Sequence, residues 1–364
     1  MLKRSRGPSG RVVTLEHVSK VLAGNPLGDP TERSIDVWLP PQYDQARHQG
    51  RRFPVLYDLV GYTGSGKSHT NWTAFEENLP ERAARLIHDK HLDPCIIVFP
   101  DCFTALGGNQ YVNSTAIGRY ADYLTRELIP YIDKEFRTLA AREHRGCFGK
   151  SSGGYGAIVH GMKYTRYWGA VANHSGDAYF DFVYRADWPN SLDELAKHAR
   201  PRPKEGERDA AAMTAGADGR DDGRVKRFLD RIYRRENLTG AEVHCLMNLA
   251  MAATYDPDPE APNGFRLPFT LDTGELIPAR WRNWLKHDPI NMVARYAKNL
   301  KKLRGIYIDC GWRDQYRIHY GTRILSARLT EHGIKHRYEE FDGTHSGINH
   351  RMNVSLPFLI KALA

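Results

Sequence analysis

The sequence predicts an α/β fold with a mostly parallel central sheet flanked by helices. Short apolar and β-branched runs recur along the chain, and from the third run onward helical patterns separate most of them. Parallel strands need such crossovers, and strands buried on both faces are apolar throughout. The eight runs are RVVTLEHV, SIDVWL, PVLYDLV, CIIVF, RGCFG, GAVAN, GIYID and HRYEEF.

The clearest predicted helix lies in IGRYADYLTRELIPYIDKEF, directly before the RGCFG strand. Its apolar residues recur at helical spacing, as at Tyr120, Leu124 and Leu128. Pro130 has no N–H to donate and clashes with the preceding turn, so we expect it to kink or divide this helix.

The regular alternation breaks between GAVAN and GIYID, which predicts an insertion. We expect a core formed by residues 1–176 and 288–364, and a largely helical insertion, or cap, over 177–287. The predicted helices lie near 191–199, 224–235 and 239–253. Between the first two, residues near 200–224 are rich in charge, Ala and Gly and have few large apolar side chains. That segment is predicted to be a mobile surface loop.

Composition excludes several classes of protein. The formal charge of +9 favours acidic partners, but the basic residues are scattered and match no RNA-recognition or zinc-finger pattern, so no nucleic-acid partner is expected. The five cysteines show no metal-ligand spacing, and no metal or cofactor is expected. The basic first residues lack the apolar segment of a secretory signal, and no apolar run is long enough to span a bilayer. No membrane partner and a cytoplasmic location are therefore expected.

One motif suggests phosphate binding. GYTGSGKS, residues 61–68, follows the PVLYDLV strand and matches the P-loop pattern G-x-x-x-x-G-K-[ST]. CIIVFPD resembles the strand that ends in a magnesium-binding Asp, although Pro100 intervenes before Asp101. A nucleotide-binding protein is therefore one hypothesis.

A second motif points to acyl chemistry. RGCFGKSSGG contains G-x-S-x-G as Gly149, Ser151 and Gly153, between an apolar strand and a helix-compatible stretch. This is the setting of a nucleophile elbow, in which a tight turn raises the serine hydroxyl above the sheet. The next backbone N–H, that of Ser152, then faces the developing oxyanion.

A serine nucleophile also needs a base and an acid that orients it, and in such folds both come later in the chain. His345 follows the last predicted strand and is the candidate base. Asp314 follows the GIYID strand and is the candidate acid, with Asp309, Asp342 and Asp177 as rivals. Because three independently placed residues agree, the serine hydrolase is favoured over the nucleotide-binding protein.

The chain resembles the putative esterase family of α/β-hydrolases, which includes esterase D, feruloyl esterases, enterochelin-type esterases and the antigen 85 acyltransferases. The resemblance covers about 12–174 and 284–362. It is carried by SIDVWLPPQY, PVLYDLVGYTG, CIIVFPD, ELIPYIDKEFRT and GKSSGGYGA.

This resemblance implies an α/β-hydrolase fold and hydrolysis of a small-molecule carboxylic ester through an acyl-enzyme, with a Ser-His-Asp triad. It also implies that the backbone N–H of Tyr62, after Gly61, is the second oxyanion donor. Acyl transfer by the same triad is the alternative within this chemistry. The chain departs from many relatives at Lys150 and Ser152, where they carry a hydrophobic residue and Met, and at Val60, where they often carry His.

The substrate contacts are less defined by the sequence. Trp312 and His174 lie at predicted strand ends and are candidate substrate-binding residues. Lys150 and Arg313 adjoin catalytic positions and are compatible with an anionic ester, whereas the tryptophans near the insertion are compatible with an aromatic one.

Overall fold

Eight strands form one sheet in the computed structural model, which describes residues 7–200 and 221–364. The order across the sheet is β1-β2-β4-β3-β7-β8-β9-β10, and β5 and β6 form a separate small pair. The strands are β1 (Arg11–Val18), β2 (Glu32–Leu39), β3 (Val55–Leu59), β4 (Ile96–Phe99), β5 (Asn113–Ser114), β6 (Gly118–Arg119), β7 (Arg145–Lys150), β8 (Ala170–His174), β9 (Gly305–Gly311) and β10 (Arg337–Phe341).

The sheet is mostly parallel, as predicted. Among the described strands of the large sheet, β2 alone runs opposite to the others, and every pairing from β4 to β10 is parallel. All eight predicted strands are present at the predicted positions. Because β3 lies between β4 and β7, the loops that follow β3 and β7 meet at the same edge of the sheet.

Helices cover both faces of this sheet. Along β3, Val55 and Tyr57 pack into one apolar layer and Leu56 into the other, so the strand is buried on both sides. The helices are α1 (Lys67–Thr70), α2 (Leu79–His88), α3 (Tyr120–Asp122), α4 (Ile129–Glu135), α5 (Ser152–Lys163), α6 (Phe180–Val183), α7 (Trp188–Ala196), α8 (Arg224–Ile232), α9 (Gly240–Tyr255), α10 (Pro278–Leu285), α11 (Pro289–Leu300), α12 (Ile318–Glu331) and α13 (Met352–Leu363).

Near Pro130, where a kink or division was predicted, the helix changes type without a break, because Leu128 and Ile129 both keep helical dihedral angles. A π-helical segment, Tyr123–Leu128, joins α3 to α4, and Pro130 lies in the first turn of α4. Proline is tolerated in a first turn because its missing N–H would have no partner there. The wider π turn therefore lets the helical backbone continue past a residue that would break a regular α-helix.

The segment 177–287 contains five helices in its described part, α6 to α10. The three predicted helices correspond to α7, α8 and α9, whereas α6 and α10 were not predicted. Trp188, Phe228 and Leu249 from this segment join the same apolar cluster as Tyr155 of α5, so it packs directly on the sheet layer. The predicted mobile loop near 200–224 lies mostly outside the described residues. Within them, no helix has the length and apolarity needed to cross a bilayer.

Asp288 holds the two ends of this segment together. The carboxylate is fully buried and accepts hydrogen bonds from the backbone N–H groups of Tyr179 (3.1 Å), Phe180 (2.8 Å) and Ile290 (3.2 Å). The first two residues begin the segment, and Ile290 follows its end. Burial raises the pKa of Asp288 to about 6, even though these N–H groups favour the ionised form.

This raised pKa predicts a measurable dependence of stability on pH. The unfolded chain loses the Asp288 proton near pH 4, but the folded protein keeps it until about pH 6. The folded state therefore binds more protons in this window, and its stability falls as the pH rises. Asp288→Asn should remove this contribution. The measurement is the free energy of unfolding in urea for wild type and for the variant. We expect the wild-type value minus the variant value to fall by about 2 kcal/mol between pH 4.5 and 6.5. A difference that stays constant with pH would contradict the raised pKa.

Candidate active site

Ser151 lies at the sharp turn between β7 and α5. Its backbone has φ 57° and ψ −125°, a conformation that residues other than glycine rarely adopt. The turn is fixed on both sides, because the Ser151 N–H donates to the His174 carbonyl (3.0 Å) and the Ser151 carbonyl accepts from the Tyr155 N–H (2.9 Å). A strained serine between a strand and a helix has the geometry of a nucleophile elbow.

The two glycines of the motif are required by the close approach of β3. A Cβ atom on Gly153 would lie 1.6 Å from the carbonyl oxygen of Leu59, and one on Gly149 would lie 2.1 Å from the same oxygen. Any side chain at either position would therefore push β3 away from the turn. This contact explains the G-x-S-x-G spacing in physical terms.

His345 and Asp314 form a hydrogen-bonded pair on neighbouring loops. Their Nδ1 and Oδ2 atoms are 2.7 Å apart, and both side chains are buried. Two further hydrogen bonds fix the pair in place. The Tyr316 N–H donates to the other Asp314 oxygen (2.9 Å), and the His345 N–H donates to the Gln315 side chain (2.9 Å). The loops after β9 and β10 thus place an oriented imidazole at the edge of the sheet.

Ser151 and His345 line the same cavity, whose volume is about 450 Å³. Among the described residues no hydrogen bond joins the two side chains, and such bonds are often long before a substrate binds. The segment 177–287 supplies an apolar and aromatic wall, which includes Val183, Tyr184, Val243 and Met247.

The loop after β3 comes close to Ser151. A Cβ atom on Gly61 would lie 3.5 Å from the Ser151 Cβ, so the loop and the serine are in contact. Tyr62 fixes the loop, because its hydroxyl donates to the Leu106 carbonyl and its own carbonyl accepts from the Gly108 N–H, both at 2.6 Å.

Two backbone N–H groups are available beside the serine. In the described part of the chain, the Tyr62 N–H donates to no protein acceptor. Ser152 is the first residue of α5, where an N–H has no partner within the helix. The Ser152 hydroxyl accepts a hydrogen bond from the Gln110 side chain (2.9 Å), which fixes the start of α5. Free donors at this position can stabilise negative charge that develops on a bound carbonyl oxygen.

The three rival acids have other partners. Asp309 is buried and contacts His174 and Arg351, at 2.7 and 2.8 Å. Asp342 is exposed and pairs with Arg313 at 2.6 Å. Asp177 does line the cavity, but its Oδ2 accepts from the Tyr184 hydroxyl (2.7 Å) and from Gln110 (3.1 Å). Of the four carboxylates, Asp314 is the one bonded to His345.

His174 belongs to a second Ser-His-Asp arrangement, and this one is buried. Its Nδ1 lies 2.7 Å from Asp309 Oδ1 and its Nε2 lies 2.8 Å from Ser355 Oγ. All three residues are at most 1% exposed, so no substrate can reach them. Arg351 adds a further hydrogen bond to Asp309, and together with His174 it holds the pKa of Asp309 below its usual range despite burial. Because His174 is buried and both of its ring nitrogens are engaged, its position does not favour the predicted contact with substrate.

Trp312 is exposed and does not line the cavity. Its side chain is 48% accessible and lies against the Arg313 guanidinium, 5.3 Å from ring centroid to Cζ. Trp188 and Trp281 instead pack edge to face in the apolar cluster of the segment 177–287. The aromatic residues that do reach the cavity are Tyr62, Tyr184 and Tyr316.

Two further imidazoles of the cavity, those of His69 and His244, were missed at the sequence level. His69 Nδ1 lies 2.5 Å from Asp58 Oδ2, and His69 lines the same cavity as Ser151. Asp58 is fully buried near the end of β3. A carboxylate inside the otherwise apolar run PVLYDLV is a signal that could have identified this pair, because a buried charge needs a partner.

The segment 61–68 does not continue as a P-loop would. The helix after it, α1, has four residues, and a Cβ atom on Gly66 would lie 2.4 Å from the Phe99 carbonyl oxygen. Asp101, the candidate magnesium ligand, pairs with Arg33 at 3.3 Å. The start of the segment contacts Ser151, and its glycines lie in the turn after β3.

Solved structures with the same fold include several ester hydrolases. A ferulic acid esterase superposes with a TM-score of 0.58 at 17% identity, with 98% of this chain and 99% of that one covered. An S-formylglutathione hydrolase from Agrobacterium tumefaciens gives a TM-score of 0.54 at 15% identity, with coverage of 100% and 99%. At these identities the likeness shows the fold, which is that of the α/β-hydrolases.

Relatives identified by sequence also include esterases. Esterase Rv1288 of Mycobacterium tuberculosis (strain ATCC 25618 / H37Rv) is 31% identical over 165 residues, which is 43% of this chain. The match spans 32% of that relative, about a third of its length. The family model described as "Putative esterase" matches residues 30–352, most of the chain. The protein therefore belongs to this esterase family.

Proposed function

We propose that the protein is a serine hydrolase that cleaves small-molecule carboxylic esters through an acyl-enzyme. Ser151 is the nucleophile, His345 the general base and Asp314 the group that orients it. The N–H groups of Tyr62 and Ser152 form the oxyanion hole. The observation that carries the proposal is the shared cavity, in which a strained serine faces an imidazole bonded to a buried carboxylate at 2.7 Å.

In the first half-reaction, Ser151 Oγ attacks the ester carbonyl carbon while its proton passes to His345 Nε2. Asp314 accepts a hydrogen bond from Nδ1–H, which fixes the tautomer and stabilises the imidazolium. The carbonyl oxygen becomes an oxyanion held by the two N–H groups. The bond from carbon to the alcohol oxygen then breaks, and His345 gives its proton to the departing alcohol.

In the second half-reaction, water attacks the acyl-enzyme. His345 takes one proton of the water as the new bond to carbon forms. The bond to Ser151 Oγ then breaks, and the proton returns to the serine. The products are a carboxylic acid and an alcohol. The ester and one water molecule are the only reactants.

Two assays together test this proposal. The first is a panel of p-nitrophenyl esters of increasing acyl length, followed by release of p-nitrophenolate. The second is a fluorophosphonate probe, which phosphonylates activated serines. We expect turnover of at least the short esters, and a probe adduct on the peptide that contains Ser151. Ser355, which has a histidine partner but is buried, should remain unlabelled in the folded protein.

Nucleotide binding by the segment 61–68 would overturn the proposal. Magnesium-dependent ATP binding that is lost in Lys67→Ala, with no hydrolysis of any ester in the panel, would favour a nucleotide-binding protein.

Acyl transfer is distinguished from hydrolysis by adding glycerol to the ester assay. If the new glycerol ester forms faster than the free acid, the triad serves mainly as an acyltransferase.

A further inference from the structure

The cavity has a cationic side next to the nucleophile. Lys150 directly precedes Ser151, is partly buried and lines the cavity. Among the ion pairs and side-chain hydrogen bonds of the described residues, Lys150 takes part in none. Burial lowers the pKa of Lys150, which reflects the cost of keeping this ammonium group away from water without a partner. A ligand that carries negative charge would remove that cost.

His69 adds a second basic group to the same cavity. Its Nδ1 is bonded to the fully buried Asp58 (2.5 Å), whose other oxygen has no hydrogen-bond donor among the described residues. His69 is therefore the main group that can stabilise the Asp58 charge. Burial and the nearby charge of Lys150 oppose protonation of His69, but Asp58 outweighs both and the pKa of His69 is raised.

The acidic groups near this cavity each have hydrogen-bond partners other than Lys150. Asp314 is paired with His345, and Asp58 with His69. Asp177 accepts two hydrogen bonds at one oxygen, and burial raises its pKa. Glu76 is exposed, accepts from Asn349 (3.3 Å) and is not part of the cavity lining. Lys150 forms no ion pair among the described residues, and the charges of Asp314 and Glu76 offset only part of the effect of burial on its pKa.

Neutral hydrogen-bonding groups complete this part of the cavity. Ser68, Ser346 and Asn349 line it together with Thr63, whereas the apolar wall comes from the segment 177–287. Hydroxyl and amide donors beside cations are the usual ligands of carboxylate and phosphate groups in proteins. The chemistry of this side therefore differs from that of the apolar wall.

We propose that the physiological ester carries an anionic group, a carboxylate or a phosphate, which binds to Lys150 and His69 while the carbonyl lies at Ser151. The inference rests on the proposed ester hydrolysis and names its substrate class. A charge-assisted contact of this kind would favour the anionic ester over its neutral counterpart by about 10- to 100-fold in kcat/KM.

Matched ester pairs test this inference. Mono-p-nitrophenyl succinate and its methyl ester differ by one charge on the acyl side. 4-Acetoxybenzoate and its methyl ester differ by one charge on the alcohol side. The measured quantity is the ratio of kcat/KM for the anionic ester to that for the neutral ester, which is compared between wild type and variants so that intrinsic reactivity cancels.

We expect Lys150→Met to lower this ratio by about tenfold or more for at least one pair, and Lys150→Glu to lower it further. His69→Asn, which keeps a hydrogen-bonding group beside Asp58 but not the charge, should lower it as well. Lys67→Met is the matched control. Lys67 is exposed and does not line this cavity, so the ratio should stay at the wild-type value.

Two outcomes would overturn the inference, and they can be told apart. If wild type hydrolyses the neutral esters but Lys150→Met and Lys150→Glu leave both ratios unchanged, the anionic substrate is wrong and the ester hydrolase stands. If wild type hydrolyses none of the four esters, the proposed function fails and this inference fails with it.

Discussion

Ser151→Ala is expected to lower kcat/KM for p-nitrophenyl acetate by at least about 10⁴-fold, with the fold intact. Removing the hydroxyl removes the nucleophile, and in serine hydrolases the remaining catalysis comes from the oxyanion hole and substrate binding alone. The measurement is initial rates at several substrate concentrations. Circular dichroism and the melting temperature should match those of wild type, because the alanine methyl group occupies space that the serine already fills.

Ser355→Ala is the matched control for this experiment. Ser355 is also bonded to a histidine that contacts an aspartate, but it is fully buried. We expect Ser355→Ala to keep wild-type activity and to lose about 1–3 kcal/mol of stability, because His174 Nε2 is left without a partner. Activity that survives in Ser151→Ala but disappears in the folded Ser355→Ala protein would reject the assignment of the nucleophile.

Asp314→Asn is expected to lower kcat by about 10³- to 10⁴-fold and to change KM little. The asparagine amide can donate to His345 Nδ1, which favours the tautomer with its proton on Nε2 and prevents that nitrogen from accepting the serine proton. The substitution also removes the charge that stabilises the imidazolium. The readout is kcat at saturating ester, measured on protein whose circular dichroism is unchanged.

Asp342→Asn is the comparison for that variant. Asp342 lies three residues before His345 in the sequence, but its carboxylate is exposed and paired with Arg313. Surface pairs of this kind contribute at most about 1 kcal/mol, so neither activity nor stability should change much. If Asp342→Asn lowered kcat as strongly as Asp314→Asn, the assignment of the acid would have to be revised.

The fold was predictable from local sequence because its strands are buried on both faces. Continuous apolar runs such as PVLYDLV and CIIVF have few other interpretations when helical patterns separate them, and all eight predicted strands are present. The helices α6 and α10 were missed because α6 is a single turn and α10 has eight residues, too short for a clear 3.6-residue period.

The candidate site was predictable where its residues lie directly after predicted strands. Ser151, Asp314 and His345 each follow a strand, and the parallel sheet brings those ends to one edge. The cavity itself was not predictable. His69, Asp177 and the residues from 177–287 meet there through tertiary contacts between distant parts of the chain, and single-sequence periodicity carries no information about such contacts.

Asp288 has a consequence for how this protein can change over evolutionary time. It joins the start and the end of the segment 177–287, so the chain leaves the sheet layer and returns to it at nearly the same point. Such an excursion can lengthen, shorten or be exchanged for another without altering strand order, provided the replacement covers the same apolar surface. Selection can thus act on the wall that receives the substrate while the strands that carry the proposed chemistry stay unchanged.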